Sequence, residues 1–213
     1  MIKEIMQRDC GWDGLMEIKF LTDVQKVIEK LKEQEYQLTR IQHILRNAKA
    51  NNKTVFICGN GGSASTATHI ACDLFKIGGM RAISLGNNIP LMTAIINDNG
   101  WENLYSDQLK RLFNKGDVLI SLSVHGGTGK DEADFWSQNL LKAIEYVNKN
   151  GGLTIGLSGF NGGRFKKMCN TNIVIPSKST PIVESLHCLI GHLIASTIQT
   201  KEELCLEEKI KQK

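Results

Sequence analysis

Residues 54–63 read TVFICGNGGS, an unbroken apolar run that ends in a cluster of glycines. A short apolar run followed by a glycine turn is typical of a strand buried on both faces of a parallel sheet. Glycines after such a strand let the backbone turn sharply, and the next helix offers free N–H groups to an anion. This stretch therefore predicts the first unit of an α/β domain, with an anion-binding turn at its end.

Four further apolar runs follow: RAISLG (81–86), DVLISLS (117–123), LTIGLSG (153–159) and TNIVIP (171–176). Helical patterns lie near 64–77, 101–114, 132–149 and 182–199. Strands that alternate with helices fold through right-handed crossovers into a parallel sheet with helices on both sides. We therefore predict an α/β fold, with one doubly wound five-stranded parallel sheet over 51–200.

The segment before the first strand has a different pattern. From Phe20 to about Ala48, apolar residues recur at intervals of three and four residues. This spacing predicts a long amphipathic helix interrupted near Glu35. A single sheet face does not need so long a cover, so we predict that the helical extension, 1–50, also packs against another subunit. The charged C-terminal tail, 201–213, is predicted to be a solvated end.

Composition and charge exclude several classes of protein. The 213 residues are 41% hydrophobic and 23% charged, which excludes collagen-like and disordered chains. The net charge is only +4, and we expect no nucleic-acid partner. The six cysteines form no C-x-x-C pair, and no run approaches the roughly 20 apolar residues of a membrane span. We predict a cytoplasmic protein with reduced thiols and no membrane partner.

Two glycine-rich loops indicate the kind of ligand. The first, after residue 59, is not a G-x-G-x-x-G motif and lacks the lysine of a P-loop, which disfavours a dinucleotide or a nucleoside triphosphate. The second, SLSVHGGTG (121–129), is dense in hydroxyl groups. Hydroxyls and backbone amides at neighbouring strand ends bind phosphate without a formal charge. The pair of loops predicts a phosphorylated metabolite.

Histidine and carboxylate side chains recur on two predicted helices. His69 and Asp73 are four residues apart and share a helix face, while Glu184, His187 and His192 lie on the last helix. Such clusters bind a divalent metal or perform acid/base chemistry.

These residues resemble a known family. GNGGSASTATHIACDL (59–74), NDN (97–99), the S-x-S loop and the ES-x-H-x4-H pattern from Glu184 are together similar to the sugar isomerase (SIS) domain family, most closely its phosphoheptose isomerases. The resemblance covers about residues 20–200. It implies a flavodoxin-like sheet and a homotetramer with active sites at subunit interfaces. It also implies conversion of sedoheptulose 7-phosphate to D-glycero-D-manno-heptose 7-phosphate.

The same resemblance assigns roles to individual residues. Zinc is the implied metal, with ligands His69, Asp73, Glu184 and His192. The implied catalytic residues are Asp73, as the base, and His192, as the acid. The implied substrate contacts are Asn60, Gly61, Gly62, Ser63, Asp73, Asn97, Asp98, Ser121, Leu122, Ser123, Thr128 and Glu184.

Three departures from the family pattern leave alternatives open. Asp73 stands where the isomerases usually have Glu, Glu184 stands where they have Gln, and the serine loop carries added residues with His125 among them. The chain is therefore also compatible with an isomerase of a different phosphosugar, or with a non-catalytic SIS protein that binds a sugar phosphate to regulate another process.

The spacing of Glu184 and His192 raises a geometric problem. Eight residues of straight helix separate them by roughly 12 Å, which is too far for one ion. Either the helix is broken, or His187 replaces one of the two, or the site is shared between subunits. We favour the shared site.

Overall fold

The computed structural model describes residues 15–128 and 137–198, and within them five strands form one sheet. The strands are β1 (Thr54–Gly59), β2 (Arg81–Ser84), β3 (Val118–Ser123), β4 (Leu153–Ser158) and β5 (Thr171–Val174). Every neighbouring pair is parallel, and the spatial order is β2-β1-β3-β4-β5. This is the flavodoxin-like order, so the predicted doubly wound sheet is confirmed.

Eight α-helices are found in the same residues. They are α1 (Leu15–Leu31), α2 (Glu35–Ala50), α3 (Gly62–Lys76), α4 (Ile89–Asn99), α5 (Leu104–Leu112), α6 (Gln138–Lys149), α7 (Phe165–Met168) and α8 (Thr180–Thr197). Short 3₁₀ turns occupy Lys32–Gln34 and Trp101–Asn103.

The interruption predicted near Glu35 is confirmed, and it places Gln34 against strand β5. The 3₁₀ turn Lys32–Gln34 separates α1 from α2. There the Gln34 amide donates to the carbonyl of Val174 at 2.7 Å and accepts from the Val174 N–H at 3.0 Å. One side chain thus satisfies both backbone groups at the edge of the sheet, and it joins the helical extension to β5.

The sequence prediction was wrong in several boundaries. It missed α4, although Asn88 caps that helix by accepting from the Leu91 N–H at 3.1 Å and Pro90 lies in its first turn. Its first eight residues, 89–96, are apolar except for Thr93, so they show no amphipathic period. The helix predicted over 101–114 is a 3₁₀ turn followed by α5, and β2 and β5 each end two residues early. Residues 129–136, which include the start of the helix predicted over 132–149, lie outside the described residues, as does the tail 201–213.

The sheet is covered by hydrophobic clusters on both faces because successive residues of a strand point to opposite sides. In β1, Val55 and Ile57 join a cluster with residues of α2, α3 and α8, while Phe56 and Cys58 join a cluster with residues of α5 and α6. Strands β1 and β3 are buried throughout and β4 is buried except at Leu153, as their unbroken apolar runs predict. The prediction was wrong for β2, where exposed and half-buried residues alternate, and for β5, where every second residue is half-buried; these two strands form the edges of the sheet.

Helices α3 and α8 pack side by side with unusually little space between them. A Cβ atom at Gly191 would overlap the side chain of Ile70, and a Cβ at Gly62 would lie 2.6 Å from Oε1 of Glu184. Because Gly62 meets Glu184 and Ile70 meets Gly191, the two helices run in the same direction. The second half of α3 therefore faces the second half of α8.

Across residues 15–128 and 137–198, we find no helix with the length and apolar character that crossing a membrane requires.

Candidate active site

A cavity of about 140 Å³ lies where β1 and β3 end. Half of the twelve predicted substrate contacts line it: Asn60, Ser63, Leu122, Ser123, Thr128 and Glu184. This is the carboxyl edge of a parallel sheet, where open α/β folds bind their ligands.

The turn after β1 is held in shape by buried hydrogen bonds. The Tyr105 hydroxyl donates to the carbonyl of Gly59 at 2.6 Å, and the side-chain amides of Asn60 and Asn139 donate to each other at 3.0 and 2.9 Å. Gly61 has a φ of +57°, a conformation that glycine adopts without strain. These contacts fix the start of α3 next to the cavity.

The loop after β3 is fixed by its own hydroxyl groups. Ser123 Oγ accepts from the N–H of Gly127 at 3.1 Å, and Thr128 Oγ1 donates to the carbonyl of His125 at 2.8 Å. Gly126 and Gly127 both have positive φ values, 61° and 84°. A Cβ at Gly126 would overlap the carbonyl of Gly162, so the loop packs closely against the segment after β4.

Ser121 lies elsewhere. Its hydroxyl is fully buried in the sheet, 3.4 Å from the sulfur of Cys58, and it does not line the cavity. Burial raises the pKa of the Cys58 thiol to about 12, so this pair is neutral. The predicted contact from Ser121 is not brought to the site within one chain.

Asn97 and Asp98 are also separate from the cavity. Both are exposed near the end of α4, and the Asn97 amide donates to the Asp98 carboxylate at 2.8 Å. Neither residue lines the cavity at the ends of β1 and β3.

A second group of polar residues lies between α3 and α8. Oδ2 of Asp73 is 2.9 Å from Nδ1 of His192 and 3.5 Å from Nε2 of His69. The two rings meet edge to face, with centroids 4.9 Å apart. Asp73 is 8% exposed, and its Oδ2 atom makes no well-aligned hydrogen bond. The structure thus brings together three of the four predicted metal ligands, which we name the His–Asp cluster: His69, Asp73 and His192.

Cys188 adds a thiol to this group. It lies one helical turn before His192, with Sγ 3.7 Å from Nε2 of that ring. Ligand atoms of His69, Cys188 and His192 all lie within 4.8 Å of one another. Cys188 was not predicted as a site residue, although its spacing of four residues from His192 places both on one face of the helix.

Glu184, the fourth predicted ligand, does not join the cluster within one chain. Helix α8 is unbroken from Thr180 to Thr197, so a broken helix is excluded. Glu184 lines the cavity beside Gly62, two helical turns from His192.

The alternative in which His187 replaces one of the ligands is wrong. Its ring is fully buried in the core, on another face of α8 from His192. Burial lowers the pKa of His187 to about 4, and the backbone of Ser158 opposes this shift.

Comparison with known proteins identifies the family. The family model described as "SIS domain" matches residues 19–159. The chain belongs to the SIS domain family.

Two curated relatives align with this chain over most of their length. A phosphoheptose isomerase from a Nitratiruptor species is 40% identical over 186 residues, which cover 84% of this chain and 95% of the relative. A phosphoheptose isomerase of Helicobacter pylori is 34% identical over 192 residues, which cover 88% of this chain and 95% of the relative.

A solved structure confirms the fold. The phosphoheptose isomerase GmhA from Neisseria gonorrhoeae superposes with a TM-score of 0.78 at 23% identity, over 87% of this chain and 97% of that chain.

The buried ring of His187 predicts a pH dependence of stability. Its folded pKa of about 4 lies below the ordinary 6.5, so the unfolded chain binds this proton first as the pH falls. This histidine's contribution to the free energy of unfolding should be complete above pH 6.5 and should decline toward pH 4. The loss is at most about 1.4 kcal/mol per pH unit.

Urea denaturation of wild type and a His187→Gln variant across this range measures the difference. The variant should lose that component of the pH dependence, while His43→Gln, at an exposed position on α2, should retain it. Equal pH dependence in wild type and His187→Gln would contradict the assignment, as would an NMR titration that gives the His187 ring an ordinary pKa.

Proposed function

We propose that this chain is a phosphoheptose isomerase, which converts sedoheptulose 7-phosphate to D-glycero-D-manno-heptose 7-phosphate. The product would enter nucleotide-activated heptose biosynthesis for a surface glycan such as lipopolysaccharide or capsule. The observation that carries this proposal is the His–Asp cluster, in which a buried carboxylate lies beside two imidazoles. Its family context is the 40% identity to a phosphoheptose isomerase.

The phosphate end of the substrate would bind in the cavity at the ends of β1 and β3. Ser63, Ser123 and Thr128 offer hydroxyl groups there, and the start of α3 offers backbone N–H groups. Glu184 would accept hydrogen bonds from sugar hydroxyls. Binding of the remote phosphate would supply the free energy that positions the reacting carbons.

Asp73 and His192 would carry the proton transfers. Asp73 takes the proton from C1 of the ketose while protonated His192 donates to the oxygen on C2, which gives an enediol. Asp73 then returns its proton to C2, and the hydroxyl on C1 gives its proton back to His192 as the aldehyde forms. Asp73 Oδ2 and His192 Nδ1 lie 2.9 Å apart, so the proposed base and acid are neighbours in the site.

The residues of the cluster fit a divalent metal ion. Oδ2 of Asp73 is buried, negative and without a well-aligned hydrogen bond, and two imidazole nitrogens lie within 3.5 Å of it. We propose zinc, with His69 and His192 as nitrogen ligands and Asp73 and a neighbouring subunit's Glu184 as the oxygen ligands that the family resemblance implies. When bound, the ion would polarise the substrate carbonyl in place of protonated His192, whose ring would then be a ligand and would no longer act as the acid. This set gives Asp73 two competing roles, as ligand and as base.

A neighbouring subunit would complete the site. The side chains of His69 and His192 are 49% and 52% exposed, and beside them Phe75, Leu189 and Leu193 are exposed apolar residues. Exposed apolar patches of this kind favour a protein partner. We propose a homotetramer with shared active sites, in which the helical extension 1–50 packs between subunits.

We also propose a cytoplasmic location. Cys58, Cys72, Cys169 and Cys188 are free thiols, as a reducing compartment would leave them.

The proposed activity is tested with purified protein and sedoheptulose 7-phosphate. Wild type should form the aldose, and Asp73→Asn and His192→Ala should each lower kcat by about 10²- to 10⁴-fold, because each removes an acid/base group. Glu145→Gln, at an exposed carboxylate on α6 that lies outside both the site and the extension 1–50, should retain wild-type turnover.

Full activity in Asp73→Asn would contradict the mechanism. Thermal stabilisation by the ketose phosphate without turnover would instead indicate the non-catalytic sugar-phosphate-binding protein. Turnover of another phosphosugar alone would indicate an isomerase of different specificity.

The shared site is tested by mixing two inactive variants. Glu184→Ala and His192→Ala homo-oligomers should each be inactive, but hybrids made by unfolding and refolding them together should regain activity. Random pairing of subunits across a two-fold interface should give about one quarter of wild-type activity. No recovery in hybrids confirmed by native mass spectrometry would contradict a site built from two subunits.

A further inference from the structure

The ring of His192 lies between two different donors. Asp73 faces its Nδ1 atom at 2.9 Å, whereas Cys188 faces its Nε2 atom at 3.7 Å. One imidazole binds a given ion through one nitrogen, so the two sides define two different positions for a metal. On the Asp73 side the ligands would be those that the family resemblance implies: His69, Asp73, His192 and Glu184 of a neighbouring subunit.

The Cys188 side also has three donors within one chain. Its ligand atoms, from His69, Cys188 and His192, lie within 4.8 Å of one another without any movement of the helices. All three come from α3 and α8, whose separation is fixed by the contact of Gly191 with Ile70. Cys188 is half-buried, which keeps its sulfur in place beside the ring.

We propose that Cys188 is a metal ligand in this chain and takes the coordination place otherwise assigned to Asp73. This inference rests on the metal of the proposed function and deepens it. Two imidazoles and one thiolate form a three-residue site with an open position, the arrangement of catalytic zinc centres. A thiolate also selects zinc over magnesium, calcium or manganese, which prefer oxygen ligands.

This assignment resolves the competition between the two roles of Asp73. With the ion at Nε2 of His192, the Asp73 carboxylate stays at Nδ1 and orients the ring from outside the coordination sphere. Oδ2 faces the His192 ring, and Oδ1 would act on the substrate as the base. The open position would accept a substrate oxygen or Glu184 of the neighbouring subunit.

Cobalt(II) tests the ligand directly, without any measurement of activity. A thiolate bound to Co²⁺ gives a charge-transfer absorption in the near ultraviolet, which nitrogen and oxygen ligands do not give. Wild type titrated with Co²⁺ should develop this band, and Cys188→Ser should lack it. Its Co²⁺ affinity should also fall by more than about tenfold, since changes even outside the coordination sphere cost about 10- to 100-fold.

Cys72 provides the matched control. It is an exposed thiol on α3 that lies outside this ligand group, so Cys72→Ser should keep the band. Alkylation of wild type gives a second measurement that needs no variant: Zn²⁺ should protect Cys188 from iodoacetamide and leave Cys72 reactive, as read by peptide mass spectrometry.

A wild-type protein that binds Co²⁺ without the band would overturn the inference, as would a band that persists in Cys188→Ser. Absence of any Co²⁺ binding would overturn it too. In each of these cases turnover of sedoheptulose 7-phosphate would leave the proposed isomerase intact, so the two failures are distinguishable.

Discussion

The close approach of α3 to α8 is the constraint on which the site depends. Gly191 has no side chain, so Ile70 packs directly against the backbone of α8, and His69 and Asp73 come within reach of His192. A glycine inside a helix costs about 1 kcal/mol relative to alanine. The structure offsets that cost with apolar burial, because Ile70, Ile190 and Ile194 belong to one buried cluster.

The parallel sheet positions the other part of the site, the cavity at the ends of β1 and β3. Because β1 and β3 are neighbours, their loops meet at one edge. The amide pair of Asn60 and Asn139 with the hydroxyl of Tyr105 holds the turn after β1, and the hydroxyls of Ser123 and Thr128 hold the loop after β3, before a ligand arrives. Such preorganisation lowers the cost of binding. The cavity and the His–Asp cluster then lie at successive levels along the same two helices, α3 and α8.

The sequence predicted the structural elements and site residues that depend on a local pattern of amino acids. Unbroken apolar runs predicted the strands, and the glycine turn after residue 59 predicted the ligand edge. The spacing of His69 and Asp73 predicted two neighbours of the cluster. The sequence did not predict α4, because an apolar segment such as 89–96 has no period that distinguishes a helix from a strand.

Contacts between segments that are distant in the sequence could not be predicted either. The direction of the Ser121 hydroxyl depends on its register against Cys58, and the thiol of Cys188 joins His69 only because two helices pack at Gly191. A sequence shows the spacing within one helix but not the neighbour that faces it.

Solvent hydrogen exchange tests the central claim, that Asp73 moves a proton between adjacent carbons of a ketose phosphate. Sedoheptulose 7-phosphate is incubated with the protein in D₂O, and the products are followed by NMR and mass spectrometry. Because the proton held by Asp73 can exchange with D₂O before it returns to the substrate, the account predicts deuterium at C2 in part of the aldose formed by wild type, and no exchange above background with Asp73→Asn. Exchange or aldose formation by Asp73→Asn at the wild-type rate would contradict it.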